Sequence, residues 1–163
     1  LTGREFLAFV GMLYKLEYQK LNQKIAQLEK ALELSFWLDE LMESYPRGIR
    51  QKMSIVAMLL HSPKILLLDE PLINLDPKSS RLVKEMLQNM AEKGASVLLS
   101  THILEIAEKL CKRIVIIHKG KKIAEGSIQE LRELARSPSS NLEEIFLQLT
   151  GGEKYNELLK YLT

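Results

Sequence analysis

Asp69 and Glu70 close a run of four aliphatic residues, Ile65-Leu66-Leu67-Leu68. A continuous apolar run of this kind reads as a strand buried on both faces. The carboxyl end of such a strand is where open α/β sheets bind ligands. An aspartate there can hold Mg²⁺, directly or through water, and the adjacent glutamate, on the other side of the pleat, can polarise a water for attack on a phosphate. An acidic pair also has a plainer reading: it ends a strand and favours the N-terminus of the next helix. Taken alone, the pair divides evenly between the two. His102 shifts the balance. It follows Ser100-Thr101 at the end of a second aliphatic segment, Val97 to Thr101. Adjacent parallel strands end side by side, so an imidazole there can hydrogen-bond a γ-phosphate or position the glutamate and its water. A histidine without that neighbour would read as a helix-start residue; His61 and His118 lack the context and read as loop or surface residues.

The elements that must position these groups follow from periodicity. Residues 1 to about 60 read as helical. Thr2-Gly3-Arg4-Glu5 has capping-box spacing, Leu1 and Phe6 fit a hydrophobic staple, and Phe6, Phe9, Val10, Leu13 and Tyr14 recur at helical period. A second helix is expected from about Asn22 to Leu34 with Ile25, Leu28 and Leu32 on one face. A third follows Gly48, with Ile49, Met53, Val56, Ala57 and Leu60 as its stripe and Pro63 as its stop. Beyond residue 63 the pattern alternates. The Ile65 strand leads to Asp76-Pro77, an N-cap followed by proline, and to a helix with Leu82, Val83, Met86, Leu87 and Met90 on one side and Gly94 at its end. The Val97 strand and a short helix from Ile103 to Leu110 come next. Arg113 to Glu125 reads as a hairpin about Lys119-Gly120. Strand, helix, strand, helix, strand implies right-handed crossovers and a parallel α/β sheet. Ser127 to Glu130 is another capping box. Leu142, Ile145, Phe146 and Leu149 mark one terminal helix, and Tyr155, Leu158, Leu159 and Leu162 mark another. The organisation read from this is a helical part over 1–62, an α/β part over 63–126 and a C-terminal helical part over 127–163.

Several segments together resemble the ABC ATPases. Leu67-Leu68-Asp69-Glu70-Pro71, Asn74-Leu75-Asp76-Pro77 and Leu99-Ser100-Thr101-His102 look like that family's Walker B, D-loop and H-loop, in order and at matching spacing. Tyr45 to Lys52 stands where the family keeps its signature. His118 to Gly126 resembles the hairpin after the H-loop, and Leu142-Glu143-Glu144-Ile145-Phe146 resembles the tail of exporter-type, multidrug-like subunits. The resemblance implies a P-loop NTPase (RecA-like) parallel-sheet core with an N-terminal helical subdomain, forming an incomplete ABC ATPase domain. It implies ATP and Mg²⁺ as cofactors, with Asp69 serving the metal, Glu70 as general base and His102 on the γ-phosphate. It implies that Arg47, Gly48 and Ile49 approach nucleotide held by a second subunit, and that Asp76 lies in the D-loop at the dimer interface. A helix N-terminus bearing a bare glycine suits phosphate, and the basic run Arg47, Arg50 and Lys52 favours that reading over a plain helix-start glycine.

Two departures qualify the resemblance. Pro46 stands where the signature has serine and offers neither hydroxyl nor N–H. A hydrogen bond to a charged group contributes about 1.5–3 kcal/mol, so a degenerate signature, one half of an asymmetric pair, is expected. The second is larger: the 163 residues contain no G-x-x-x-x-G-K-[ST]. The phosphate cradle, its lysine and the Q-loop glutamine are absent, and the first residue is Leu1, not Met. The expectation is a C-terminal portion of a longer ABC ATPase that, alone, binds ATP poorly.

Composition sets the outer bounds. Apolar residues make up 46%, charged residues 27%, and the net charge is +2 with scattered basic residues, which gives no case for nucleic acid. The single cysteine, Cys111, excludes an internal disulfide and fits a reducing compartment. The resemblance implies a peripheral subunit on the cytoplasmic face of the membrane, coupling ATP hydrolysis to transport, with export as the direction. Its partners would be transmembrane permease subunits on separate chains and a second ABC ATPase subunit, in a homo- or heterodimer. The alternatives are a soluble ABC-type ATPase and a truncated, non-catalytic ABC module.

Overall fold

Three helices open the chain: α1 (Gly3–Leu13), α2 (Tyr18–Leu32) and α3 (Arg47–Leu60). The computed structural model describes residues 1–151 and divides the chain into two units, Leu1–Ser100 and Thr101–Thr163. The helix expected around Tyr155, Leu158, Leu159 and Leu162 lies outside the described residues. The Thr2 capping box forms as read: the Glu5 amide donates to the Thr2 hydroxyl at 3.2 Å and the Thr2 amide donates to the Glu5 carboxylate at 2.8 Å. The inward face of α1 differs from expectation. Gly3, Leu7 and Gly11 are buried, whereas Phe9, Leu13 and Tyr14 are exposed. The reason is steric. A Cβ on Gly3 would strike the Tyr45 hydroxyl, and one on Gly11 would strike the Leu21 side chain. The glycine face can approach its neighbours more closely than the aromatic face, so it takes the core. On α2 the expected Ile25, Leu28 and Leu32 are buried, joined by Leu21.

Strand β1 (Ile65–Asp69), helix α4 (Pro77–Glu92) and strand β2 (Ser96–Ser100) follow. The strands pair in parallel with Ile65 opposite Ser96 and Asp69 opposite Ser100. Asp76 caps α4 as expected, accepting from the Ser79 amide at 2.9 Å, with Pro77 in the first turn. Gly94, just past the helix, takes a φ of +94°. Burial alternates along β1. Leu66 is buried and Leu68 half-buried, while Ile65, Leu67 and Leu98 are 69%, 75% and 65% exposed. This corrects the reading of a strand buried on both faces. Among the described residues the helix packed most extensively on this pair is α4, against β2. One helix covers one face and leaves Ile65, Leu67 and Leu98 open.

The second unit holds α5 (Leu104–Leu110), β3 (Ile114–His118), β4 (Lys121–Gly126), α6 (Ile128–Leu134) and α7 (Leu142–Thr150). The expected hairpin is present, with Lys119 and Gly120 both at positive φ, as a two-residue primed turn requires. Strands β3 and β4 form a two-stranded antiparallel sheet, so the parallel pairing seen among the described residues is that of β1 with β2. Ile114, Ile116, Ala124, Leu131, Leu142 and Ile145 form the core of this unit. The Glu108 carboxylate accepts from the Leu142 amide at 2.9 Å and from the Arg132 guanidinium at 3.2 Å, tying α5 to α6 and the start of α7.

Candidate functional site

The ladder of β1 and β2 runs one bond past the strand. The Glu70 amide donates to the Ser100 carbonyl at 3.1 Å, and the Ser100 hydroxyl donates to the Asp69 carboxylate. The chain then turns sharply. Glu70 has φ +45°, and the Ile73 amide closes the turn on the Glu70 carbonyl at 3.2 Å. The pleat assumed for Glu70 therefore stops at Asp69: the glutamate is aimed by a left-handed residue rather than by strand alternation. That conformation costs a non-glycine residue about 1–2 kcal/mol and persists where the surroundings over-determine it, commonly at functional sites. Asp69 is exposed. A carboxylate has about four lone-pair sites, so the Ser100 bond leaves capacity for a cation. Mg²⁺ is ordinarily held by one or two carboxylates plus phosphates and waters. A single strand-end aspartate fits that donor set. Among the described residues no cluster of three or more metal-binding side chains forms an all-protein cage.

The segment resembling the signature starts α3. Pro46 is its N-cap and makes no side-chain capping bond; Arg47 is exposed, and Gly48 and Ile49 are half-buried. Gly48 has a packing reason of its own: a Cβ there would lie 2.7 Å from the Asn74 carbonyl oxygen. Lys52 corrects the reading of a basic run facing phosphate. It is 6% exposed, and its ammonium donates to the Leu32 carbonyl at 3.0 Å and pairs with Asp76 at 2.8 Å. Asp76 also accepts from the Ser79 hydroxyl at 2.7 Å. Both of its oxygens are thus engaged within the chain.

The Lys52 ammonium, then the Ser79 amide and hydroxyl, hold the Asp76 carboxyl far below the usual carboxylate range. A depressed folded-state pKa gives stability that is present above the unfolded value, about 3.9, and lost as pH falls toward the folded one. The expected outcome is that the stability gap between wild type and Asp76→Asn is widest near neutrality and narrows below about pH 4. Urea melts at a series of pH values check this. The Asp76 side chain is 45% exposed, so added salt should shrink the gap as well.

His102 lies two residues past β2, in the second unit, and is exposed. The strand stops at Ser100 rather than Thr101, because the Thr101 hydroxyl accepts from the Ile103 amide at 3.1 Å and bends the chain into α5. Within the first unit the fold brings together the end of β1, the loop 71–76 and the start of α3. Sequence reasoning placed Lys52, Gln51 and Asn74 in the resembling segments but missed the contacts that join them to this group. One signal was present: Lys52 falls at helical spacing from Ile49 and Val56, inside the apolar stripe of α3, where a charge needs a partner.

Comparison with known proteins gives four findings. A family profile described as "AAA domain, putative AbiEii toxin, Type IV TA system" matches residues 34–108. The chain is 33% identical over 141 residues to the ABC transporter ATP-binding protein NatA of Bacillus subtilis (strain 168), a match covering 86% of this chain and 57% of NatA. This chain belongs to the family of ABC transporter ATP-binding proteins. A solved ATP-binding subunit of an ABC transporter superposes on this family member with a TM-score of 0.86 at 32% identity, over 91% of this chain and 62% of the other. The daunorubicin/doxorubicin resistance ATP-binding protein DrrA of Streptomyces peucetius is 35% identical over 132 residues, covering 81% of this chain and 40% of DrrA. The chain therefore spans about 60% of the length of NatA and of the solved subunit.

Proposed function

We propose that the chain supplies the hydrolytic part of an ABC transporter's ATP-binding subunit. The observation that carries the reading is the end of β1: Asp69 is bonded to Ser100 across a parallel strand pair, and Glu70 is held in a left-handed turn beside it. Mg²⁺ bound at Asp69 would neutralise charge on the phosphate oxygens of ATP. The Glu70 carboxylate accepts the proton of the attacking water. The His102 imidazole donates a hydrogen bond to the γ-phosphate. The amides at the start of α3, with Arg47, Gly48 and Ile49, and the backbone of the Asp76 loop meet nucleotide and chain from a second ATPase subunit. The parts 1–62, 63–126 and 127–163 correspond to signature-bearing, hydrolytic and C-terminal roles.

Transmembrane permease subunits on separate chains are the proposed membrane partners, with export as the direction, supported by the resistance function in DrrA's name. The exposed row Phe9, Met12, Leu13 and Tyr14 on and just after α1 offers an apolar surface for such a partner. No helix among the described residues is long and apolar enough to cross a membrane; the proposed place, by likeness to the relatives, is peripheral on the membrane's cytoplasmic face. The missing phosphate-loop motif favours a second reading, a non-catalytic ABC module. We assign the phosphate cradle to a portion outside these 163 residues, one that also covers the open face of Ile65, Leu67 and Leu98. Titrating this chain with a fluorescent ATP analogue should then give millimolar affinity or weaker, about −4 kcal/mol. Micromolar binding would show that the chain holds ATP without that cradle and would sink the assignment.

A further inference from the structure

The loop 71–76 is held from outside by one helix, at three places. The Gln51 side-chain amide of α3 donates to the Pro71 carbonyl at 3.0 Å. The Lys52 ammonium pairs with Asp76 at 2.8 Å. Between these two anchors Gly48 lies against the Asn74 carbonyl, too close for any side chain, and Asn74 itself is left-handed, with φ +61°. The loop thus runs from one strained residue, Glu70, through a second left-handed one, Asn74, to the cap of α4. Pro71 and Leu72 are buried, and Lys52 reaches across to the end of α2 as well. Strained backbone of this kind survives only while its neighbours forbid relaxation. Beyond the Ser100 and Ile73 bonds at Glu70 itself, the neighbours that hold this loop sit on consecutive turns of α3.

We propose that Lys52 and Gln51 are positioning residues for Glu70: they clamp the loop 71–76 onto α3 and thereby keep Glu70 in its left-handed turn. Neither side chain needs to touch nucleotide. A rotation of α3 would pull on Pro71 and Asp76 together and re-aim the carboxylate at the end of β1. The start of α3 and the end of β1 consequently report on each other's position. Gly48 serves the same clamp, because any larger residue would push the Asn74 carbonyl away.

The positioning role rests on the ATPase reading, but the clamp can be tested without it. Hydrogen exchange of the 163-residue chain is compared for wild type, Lys52→Met and Gln51→Ala. Amides of residues 72–76 should exchange about tenfold faster or more in Lys52→Met, and by a smaller factor in Gln51→Ala, with the amides of β1 and α2 unchanged. The φ-sensitive amide-to-α-proton coupling of Glu70 should move in the same variants. Unchanged loop exchange, or an equal rise everywhere, overturns the clamp, because the pair would then be a general stabiliser. Gln51→Ala removes one neutral bond and keeps the comparison valid if Lys52→Met fails to fold. In the ATP-hydrolysing protein that carries this chain, both variants should lower kcat and leave KM for ATP unchanged; a raised KM at unchanged kcat overturns the positioning role. A wild-type protein without ATP turnover ends the ATPase reading instead, and the clamp is then judged by exchange alone.

Discussion

Glu70→Gln should lower ATP turnover by roughly 10²–10⁴-fold in the ATP-hydrolysing protein that contains this chain, with nucleotide affinity little changed. The amide keeps the shape of the side chain and can still hold a water, but it cannot take the water's proton. The backbone supplies a second arm. Because Glu70 is left-handed, Glu70→Gly should be equally inactive and less costly to stability than Glu70→Ala, by about 1 kcal/mol. Equal loss of activity in Glu70→Gln and Glu70→Gly, with the Gly variant more stable than the Ala variant, marks a left-handed residue retained for chemistry. Steady-state turnover with urea melts measures both quantities on the same samples. Full turnover in Glu70→Gln would remove the general-base role and leave the acidic pair its plainer reading as a strand end.

Two adjacent leucines should behave in opposite ways. Leu66 is 2% exposed and Leu67 75% exposed. In this chain Leu66→Ala should cost about 2–5 kcal/mol, and Leu67→Ala about 0.5 kcal/mol or less. When the portion proposed to cover the open face is present, Leu67→Ala should become nearly as costly as Leu66→Ala, about 2 kcal/mol or more. Urea unfolding of both variants, with and without that portion, reads the difference directly. A Leu67→Ala cost that stays near zero in the longer protein would mean that this face is not covered, and the assignment of the phosphate cradle to the same portion would lose its structural support.

The parts legible in the sequence were those governed by local rules. The Thr2 and Ser127 capping boxes, the Asp76-Pro77 helix start and the Lys119-Gly120 turn each depend on a few neighbouring residues, and each formed as read. The chemistry-bearing types at the strand end were also legible, since Asp69-Glu70 after an aliphatic run and Ser100-Thr101-His102 after the next stand out as sequence. The stripes of α2 and, at Met53, Val56 and Leu60, of α3 were also buried as read, but two inferences from periodicity to partner failed. The stripe Phe6 to Tyr14 had helical period, yet α1 buried its glycines instead. The run Ile65 to Leu68 looked doubly buried, yet one face stays open. An apolar pattern records which faces can be buried; the approach distance and the supply of covering elements decide which are.

Lys52 makes the same distinction at the site. The sequence by itself determined that an aspartate would cap α4, and in it Lys52 reads as one of a basic run facing phosphate. Only the tertiary structure decided that the two meet. The sequence likewise determined that a carboxylate follows β1, while the left-handed turn that aims it depends on α3 gripping the loop at Pro71, Asn74 and Asp76. The physical reason is range. Caps and turns are fixed by bonds across three or four residues, whereas the strain at Glu70 is held by contacts from a helix about twenty residues away in the chain, which become neighbours only once the core has formed.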